Sequence, residues 1–286
     1  MTMTSDDPIY AMGRSEGERR RLVEQAAIYA ASTRHLLDEA GIGSGLRVLD
    51  AGCGVGDVTL LVASVVGPDG GVVGVDTDAE ALAVGRARAA RAGLDHVRFV
   101  QGDLRDLSFD HAFDAVVGRF VLMYLADPCD AVRRLSGHVR PGGVVAFQEF
   151  QFEGLMRSYP DVAGSLYERA VGWVRETLRR AGVETEMGLR LPTVLRDAGL
   201  TPARGFVHCP LAGGTDDPAY SLLAHVLESL LPLIVAFGVA TPEEVDPDSF
   251  ARRLSDEATA HDAVGCCPPV VGAWASLPDH RLPDHQ

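Results

Sequence analysis

Residues 46–150 repeat one unit: a short valine-rich run, a turn, a capped helical stretch, then the next run. The runs Leu46–Asp50, Gly71–Asp76, Val97–Gln101, Phe113–Gly118 and Gly143–Glu149 are apolar without alternation. Strands read that way when helices cover both faces of their sheet. Between them, Asp57–Val66 reads as a helix stopped by Gly67-Pro68. Thr77 and Glu80 open a helix that reaches Ala92, and Asp127-Pro128 starts another with proline at its first position. Strand, helix, strand in this order builds a parallel, doubly wound α/β sheet.

The flanks have another rhythm. Ser15 and Glu18 form a capping pattern for a helix running to Ala40, after an arm of 14 residues. Tyr159–Ala181 reads as an amphipathic helix with Leu166, Ala170, Trp173, Val174 and Thr177 on one face. A short helix at 191–198 and a sixth strand, Arg204–Cys209, follow. Residues 219–238 read as a long apolar helix bent at Pro232. A helix at 249–262, a last strand at Pro268–Ser276 and a disordered tail complete the chain. This divides it into an arm and lid helix (1–41), a ligand-binding core (42–150), a helical cap (151–202), and a sheet-completing part (203–286) whose apolar insertion spans 210–267.

Composition narrows the chemistry. All 26 basic residues are arginine and asparagine is absent, so Schiff-base lysines, a Walker-A loop and N-glycosylation are out. A net charge of −14 repels phosphate backbones, which disfavours nucleic acid. Arg19-Arg20-Arg21, among Glu16, Glu18 and Glu24, reads as a solvated helix face. Five cysteines without CxxC spacing fit a reduced, cytoplasmic setting, and no spacing of His and Cys points to a metal. The most apolar stretch, Ser229–Ala240, is too short to span a bilayer, so no membrane insertion is expected.

Three acids close three successive strands. Asp50 precedes the glycine loop Gly52-Cys53-Gly54-Val55-Gly56, in the crevice position of a doubly wound sheet. A dinucleotide loop needs glycine at 57, where this chain has Asp57, so the loop suits a ligand that is not an anionic diphosphate. Asp76, followed by Thr77, is placed to accept both ribose hydroxyls. Asp103, in Gln101-Gly102-Asp103-Leu104, is placed to accept from an exocyclic amine such as adenine's.

These motifs, with Phe113-Asp114-Ala115-Val116-Val117 and Arg140-Pro141-Gly142-Gly143 in order, resemble the class I S-adenosylmethionine-dependent methyltransferases. The likeness is to the small-molecule group similar to the quinone-biosynthesis (methyltransferase type 11) enzymes, and it covers roughly residues 42–150. It implies a Rossmann-like sheet of seven strands, the last antiparallel, with helical cap insertions. It implies S-adenosyl-L-methionine as cofactor, with Asp50 near the methionine amine and Gly52, Gly54 and Gly56 along the methionyl part. Asp76 and Thr77 would hold the ribose. Gly102, Asp103 and the backbone N–H of Leu104 would read adenine. Gly118 and Arg119 would lie by the methionyl end, Arg119 pairing its carboxylate.

Methyl transfer requires an aimed nucleophile and a dry pocket. Where the acceptor is a hydroxyl or an acidic carbon, a base is needed. Glu149, with Gln148 beside it, and His208 are the leading candidates, ahead of His225, while Tyr10 and Tyr29 are candidate lid residues. The apolar residues 222–239 either line a hydrophobic pocket or form a homodimer interface. The expected reaction is methyl transfer to an O, N or C atom of a small, mostly apolar metabolite in specialised metabolism. The rivals are a cyclisation or rearrangement on the same fold and a nicotinamide-dependent oxidoreductase, against which Asp57 and Asp103 speak.

Overall fold

The computed structural model describes residues 16–154, 156, 158–160, 162–200, 203–215 and 217–279. Tyr10, the N-terminal arm, Ser15 and the tail from 280 lie outside the described residues.

The repeating unit folds as its pattern dictates. Strands β1 (Arg47–Ala51), β2 (Gly71–Asp76), β3 (Val97–Gln101), β4 (Phe113–Arg119) and β5 (Val139–Phe150) pair in parallel. The helices after β1, β2 and β4 are α2 (Asp57–Val66), α3 (Ala79–Arg91) and α4 (Pro128–Ser136); the N-terminal helix α1 is Glu16–Glu39. Asp78, not Thr77, caps α3 by accepting from the N–H groups of Glu80 and Ala81, and Asp127 caps α4.

Downstream come α5 (Leu166–Arg180), α6 (Met187–Asp197), β7 (Arg204–His208), α7 (Pro218–Ala236), α8 (Pro242–Val245), α9 (Pro247–Ala260) and β10 (Val270–Ser276). The sheet order is β3-β2-β1-β4-β5-β10-β7, and β10 runs antiparallel to both neighbours. Seven strands with one reversed strand is the expected sheet. Strand order turns back between β1 and β4, which opens a crevice at their carboxyl ends.

Both faces are covered. Successive residues of each strand point to opposite sides, so Val48, Val117 and Ala146 pack with Leu36 of α1 and Val62 of α2, while Leu49, Val116 and Val145 enter the other core with Leu135 of α4 and Leu191 of α6. This explains the unbroken valine runs.

Two expectations need correction. Tyr159 is not helical. Ser158–Tyr159 is a short strand, β6, and the helix begins only at Leu166, where the Ser165 side chain accepts from the Glu168 N–H. With β8 (Leu211–Gly213) and β9 (Val264–Cys266), β6 forms a second, three-stranded sheet in the order β6-β9-β8. The second concerns Ser229–Ala240, expected to be too short to span a bilayer: most of it belongs to the 19-residue apolar helix α7. By length and composition α7 suffices to cross a membrane, yet here it packs on α1, α5 and α9 and buries Leu222, Leu227, Leu230 and Ile234.

Candidate active site

The β1–α2 loop is built on strained backbone that only glycine adopts readily. Gly54 sits at φ 51° with open space where a Cβ would be. Its N–H donates to Asp76 Oδ2 at 2.9 Å, and the Asp78 N–H donates to Asp76 Oδ1 at 2.9 Å. Two backbone donors thus aim the Asp76 carboxylate, one on each oxygen.

Asp50 is buried and accepts from Thr59 Oγ1 at 2.5 Å. Burial pushes its pKa up to about 7, against the pull of the Thr59 hydroxyl and of the nearby Arg119. Asp103 is half-exposed and gripped by Arg105. Arg105 Nε and its backbone N–H reach Oδ1 at 2.9 Å each, and Nη2 reaches Oδ2 at 2.6 Å. The Arg105 hydrogen bond holds Asp103 below the usual carboxylate range.

Arg119 donates from Nη1 to Thr33 Oγ1 at 3.0 Å, and its guanidinium lies 5.5 Å from the centre of the Phe120 ring. Burial lowers its pKa, while Asp57 and Asp50 work the other way. Phe120 sits at φ 59°, an uncommon conformation for a bulky residue. Its ring stacks on Phe150 at 3.8 Å, and Tyr29 of α1 meets both rings edge-on.

Apart from Thr33 and Thr59, these groups line one cavity of about 530 Å³. From the acidic strand ends it continues into a chamber walled by Val171 and Val174 of α5, Leu222 and Val226 of α7, and Leu254 of α9. The inner residues of the small sheet, Ser158, Ala212 and Gly265, also line it. So do Asp50, Gly52, Gly54, Asp76, Thr77, Gly102, Asp103, Leu104 and Arg119.

Gly56 and Gly118 do not line it. A Cβ on Gly56 would meet the Phe99 ring at 2.9 Å, and one on Gly118 would meet Phe147 at 2.4 Å. Both are packing glycines. The two leading base candidates also fall outside the cavity wall. Glu149 is completely buried, and its Oε1 accepts from the N–H groups of Val121 at 2.8 Å and Leu122 at 2.7 Å. Its Oε2 has no hydrogen-bond partner, and burial raises its pKa to about 8. It anchors the turn that carries the aromatic shelf rather than facing a ligand. His208 lies on β7, which β10 separates from β5.

Gln148 is tied to α1, accepting from Thr33 Oγ1 at 2.7 Å and donating to Ser32 Oγ at 2.9 Å. His225 is bonded to Glu24 of α1 at 2.7 Å. Tyr29 does line the cavity, with its hydroxyl donating to the Pro268 carbonyl at 2.9 Å. Asp57 pairs with Arg88 of α3 at 2.6 Å.

Two cavity residues escaped sequence reasoning. Arg21, read as part of a solvated face, is 4% exposed and lines the cavity beside Gln25. The signal was present: Arg21, Gln25 and Tyr29 recur every four residues, on one face of α1.

Residues 42–180 match a family model described as a methyltransferase domain. Demethylmenaquinone methyltransferase of Staphylococcus aureus is 33% identical over 117 residues, 41% of this chain and 48% of that protein. The chain thus spans about half the length of the curated relatives it matches. The structure of the YcgJ protein from Bacillus subtilis superposes with a TM-score of 0.57 at 17% identity, over 87% of this chain and 99% of that one. The [4+2]-cyclase SpnF gives 0.52 at 21% identity, over 87% and 80%. At these identities the structural likeness speaks for the fold alone. The motifs in order along the sheet, the reversed seventh strand and the match over residues 42–180 make this chain similar to the class I S-adenosylmethionine-dependent methyltransferases.

Proposed function

We propose that this chain transfers a methyl group from S-adenosyl-L-methionine to an O, N or C atom of a small, mostly apolar metabolite, in the cytoplasm and in specialised metabolism. The observation that carries the reading is the single cavity that joins an acidic rim to an apolar chamber. Its volume lies in the range of small-molecule sites.

The residues fit the cofactor. S-adenosyl-L-methionine is net cationic, and Asp50, Asp76 and Asp103 put carboxylates where its ammonium, ribose and adenine amine would lie. The preset Asp76 oxygens suit a vicinal diol, and the open space at Gly54 admits the methionyl part. Arg119, anchored by Thr33, suits its carboxylate. When bound, the cofactor supplies an electrophilic methyl on a sulfonium, whose charge disperses in the transition state, so a water-poor chamber favours reaction. The chain's part is then to orient and to exclude water. The stacked Phe120 and Phe150, closed by Tyr29, wall the junction of rim and chamber. With Glu149 and His208 off the cavity, no base is assigned to them. The functional division follows the same line: 42–150 binds the cofactor, α1 covers it, and described residues of the segments 151–202 and 210–267 build the chamber.

Calorimetry on the full chain tests this reading. Both S-adenosylmethionine and S-adenosylhomocysteine should bind, and absence of heat with either overturns it. Label from methyl-tritiated cofactor should then appear in members of a panel of apolar phenols, quinols and amines. Cofactor binding without any transfer across such a panel would favour a cyclisation or rearrangement instead.

A further inference from the structure

We propose that Cys209 and Cys266 form a reversible disulfide when the chain meets a peroxide, and that this bond staples the root of the segment that covers the chamber. The inference goes beyond the methyl-transfer reading and does not depend on it.

All five cysteines are free thiols, and Cys209, Cys266 and Cys267 meet at one joint. There the chain leaves the large sheet and later returns to it. β7 ends at His208, and β8 begins at Leu211. After α7, α8 and α9 the chain comes back through β9, where Cys266 lies opposite Leu211. The Cys267 N–H donates to the Pro210 carbonyl at 2.8 Å, and Cys209 Sγ lies 3.7 Å from the Cys267 carbonyl oxygen. The Cys209 side chain is thus turned toward the returning strand, where its thiol is hydrogen-bonded to that of Cys266. Cys266 and Cys267 are not the pair, because adjacent Cα atoms, about 3.8 Å apart, are too close for relaxed disulfide geometry.

The chemistry sorts these thiols. Burial pushes Cys53, Cys129 and Cys267 upward, Cys267 to about 12. Thiols that hold their protons are poor nucleophiles. Burial, and then the Cys266 thiol beside it, pushes Cys209 up to about 11, so Cys209 enters as the resolving thiol. Cys266 is half-buried and lines the cavity, where a small oxidant reaches it. Its sulfur attacks one oxygen of hydrogen peroxide, the O–O bond breaks, and water leaves a sulfenic acid behind. The Cys209 sulfur then attacks that sulfur, and its proton departs with the hydroxyl as a second water. Two thiols become one disulfide, and one peroxide becomes two waters. A thiol reductant reverses the bond.

The staple closes the loop 210–265, which carries α7, α8 and α9 and with them Leu222, Val226 and Leu254 of the chamber wall. A long closed loop removes much freedom from the unfolded chain. The Tyr167 hydroxyl of α5 donates to the Cys266 carbonyl at 2.5 Å, so the joint is also tied to the facing wall.

Peroxide titration of the reduced full chain tests this. Thiols counted after denaturation should fall from five to three, and non-reducing peptide mapping should find Cys209 linked to Cys266 with the loss of two hydrogens. The melting temperature should rise by about 5 °C or more and return with dithiothreitol. Cys209→Ala should abolish the rise and leave a sulfenic acid on Cys266 that dimedone traps. Cys266→Ala should abolish link and rise alike, while Cys267→Ala should keep both. A wild type that retains five thiols, a link made through Cys267, or overoxidation of Cys266 without any link overturns the site. A linked protein whose melting temperature does not rise overturns the staple.

Discussion

The acidic rim and the apolar chamber of this cavity are made in opposite ways. The rim is local. Asp50, Gly54, Asp76 and Asp103 each stand at the end of a strand, and the parallel register that aligns Asp50 with Gly74, and Asp76 with Gln101, brings them to one edge. Backbone N–H groups then aim Asp76, the Thr59 hydroxyl holds Asp50, and Arg105 holds Asp103. The chamber is assembled from α1, α5, α7, α9 and three two- or three-residue strands that meet from residues 158, 211 and 264 onward. A rim built of strand ends and backbone leaves a motif in the sequence; a chamber built of side chains from distant segments leaves only hydrophobicity.

Breaking the rim should have the largest effect. Asp76→Ala removes the carboxylate proposed to accept from the ribose and unties the Gly54 and Asp78 N–H groups. Affinity for S-adenosylhomocysteine should fall about 30-fold or more, as expected for charge-assisted hydrogen bonds worth about 2 kcal/mol. Calorimetry that finds less than a threefold change would mean the rim is not the cofactor's seat. Next come two glycines of the same motif region. Gly118→Ala drives a Cβ into Phe147 and should cost about 1–3 kcal/mol of stability by denaturant titration. Gly54→Ala meets no atom, so its smaller cost is the left-handed backbone, about 1–2 kcal/mol, and its main signature should be weaker cofactor binding. Equal losses of stability in both would erase the distinction between packing and binding glycines.

The chamber should break separately. Val226→Trp fills it from α7, and methyl transfer to any acceptor found should fall about tenfold or more while S-adenosylhomocysteine affinity stays within about twofold. Coupled losses would show that the two regions are one site energetically.

The same contrast explains what the sequence disclosed. The strand ends, the Asp127 cap of α4 and the reversed last strand were legible because each rests on local pattern or on an ordered set of motifs. Glu149 was misread because its position at a strand end says nothing of the Val121 and Leu122 N–H groups that fold back over it. His208 was misread because sequence does not reveal that β10 inserts between β5 and β7. The small sheet was invisible: its strands are too short for periodicity and pair across more than a hundred residues (β6 with β9) and about fifty (β8 with β9). The late start of α5 was readable, since Ser165 and Glu168 form a capping pattern after Pro160. Arg21 was missed because a run of arginines among glutamates looks solvated, whereas its four-residue spacing to Gln25 and Tyr29 carried the better signal.

The smallest expected effect separates two buried acids, one from each side of this contrast. Asp50 and Glu149 have pKa values raised to about 7 and about 8 by burial. Each keeps its proton in the folded chain after the unfolded chain has lost it, so each favours folding at low pH. That contribution fades as pH rises from the ordinary carboxylate range through the folded-state value. Glu149→Gln should therefore flatten the fall in melting temperature between about pH 5 and 8 without altering ligand affinity. Asp50 should also be felt by the ligand, because a cationic ligand favours its ionised form. Affinity for S-adenosylmethionine should rise as pH increases through 7, by up to about tenfold between pH 6 and 8, and Asp50→Asn should flatten that rise. If the wild-type affinity is level across this interval, Asp50 does not face the cofactor's ammonium, and the rim holds its ligand through Asp76 and Asp103 alone.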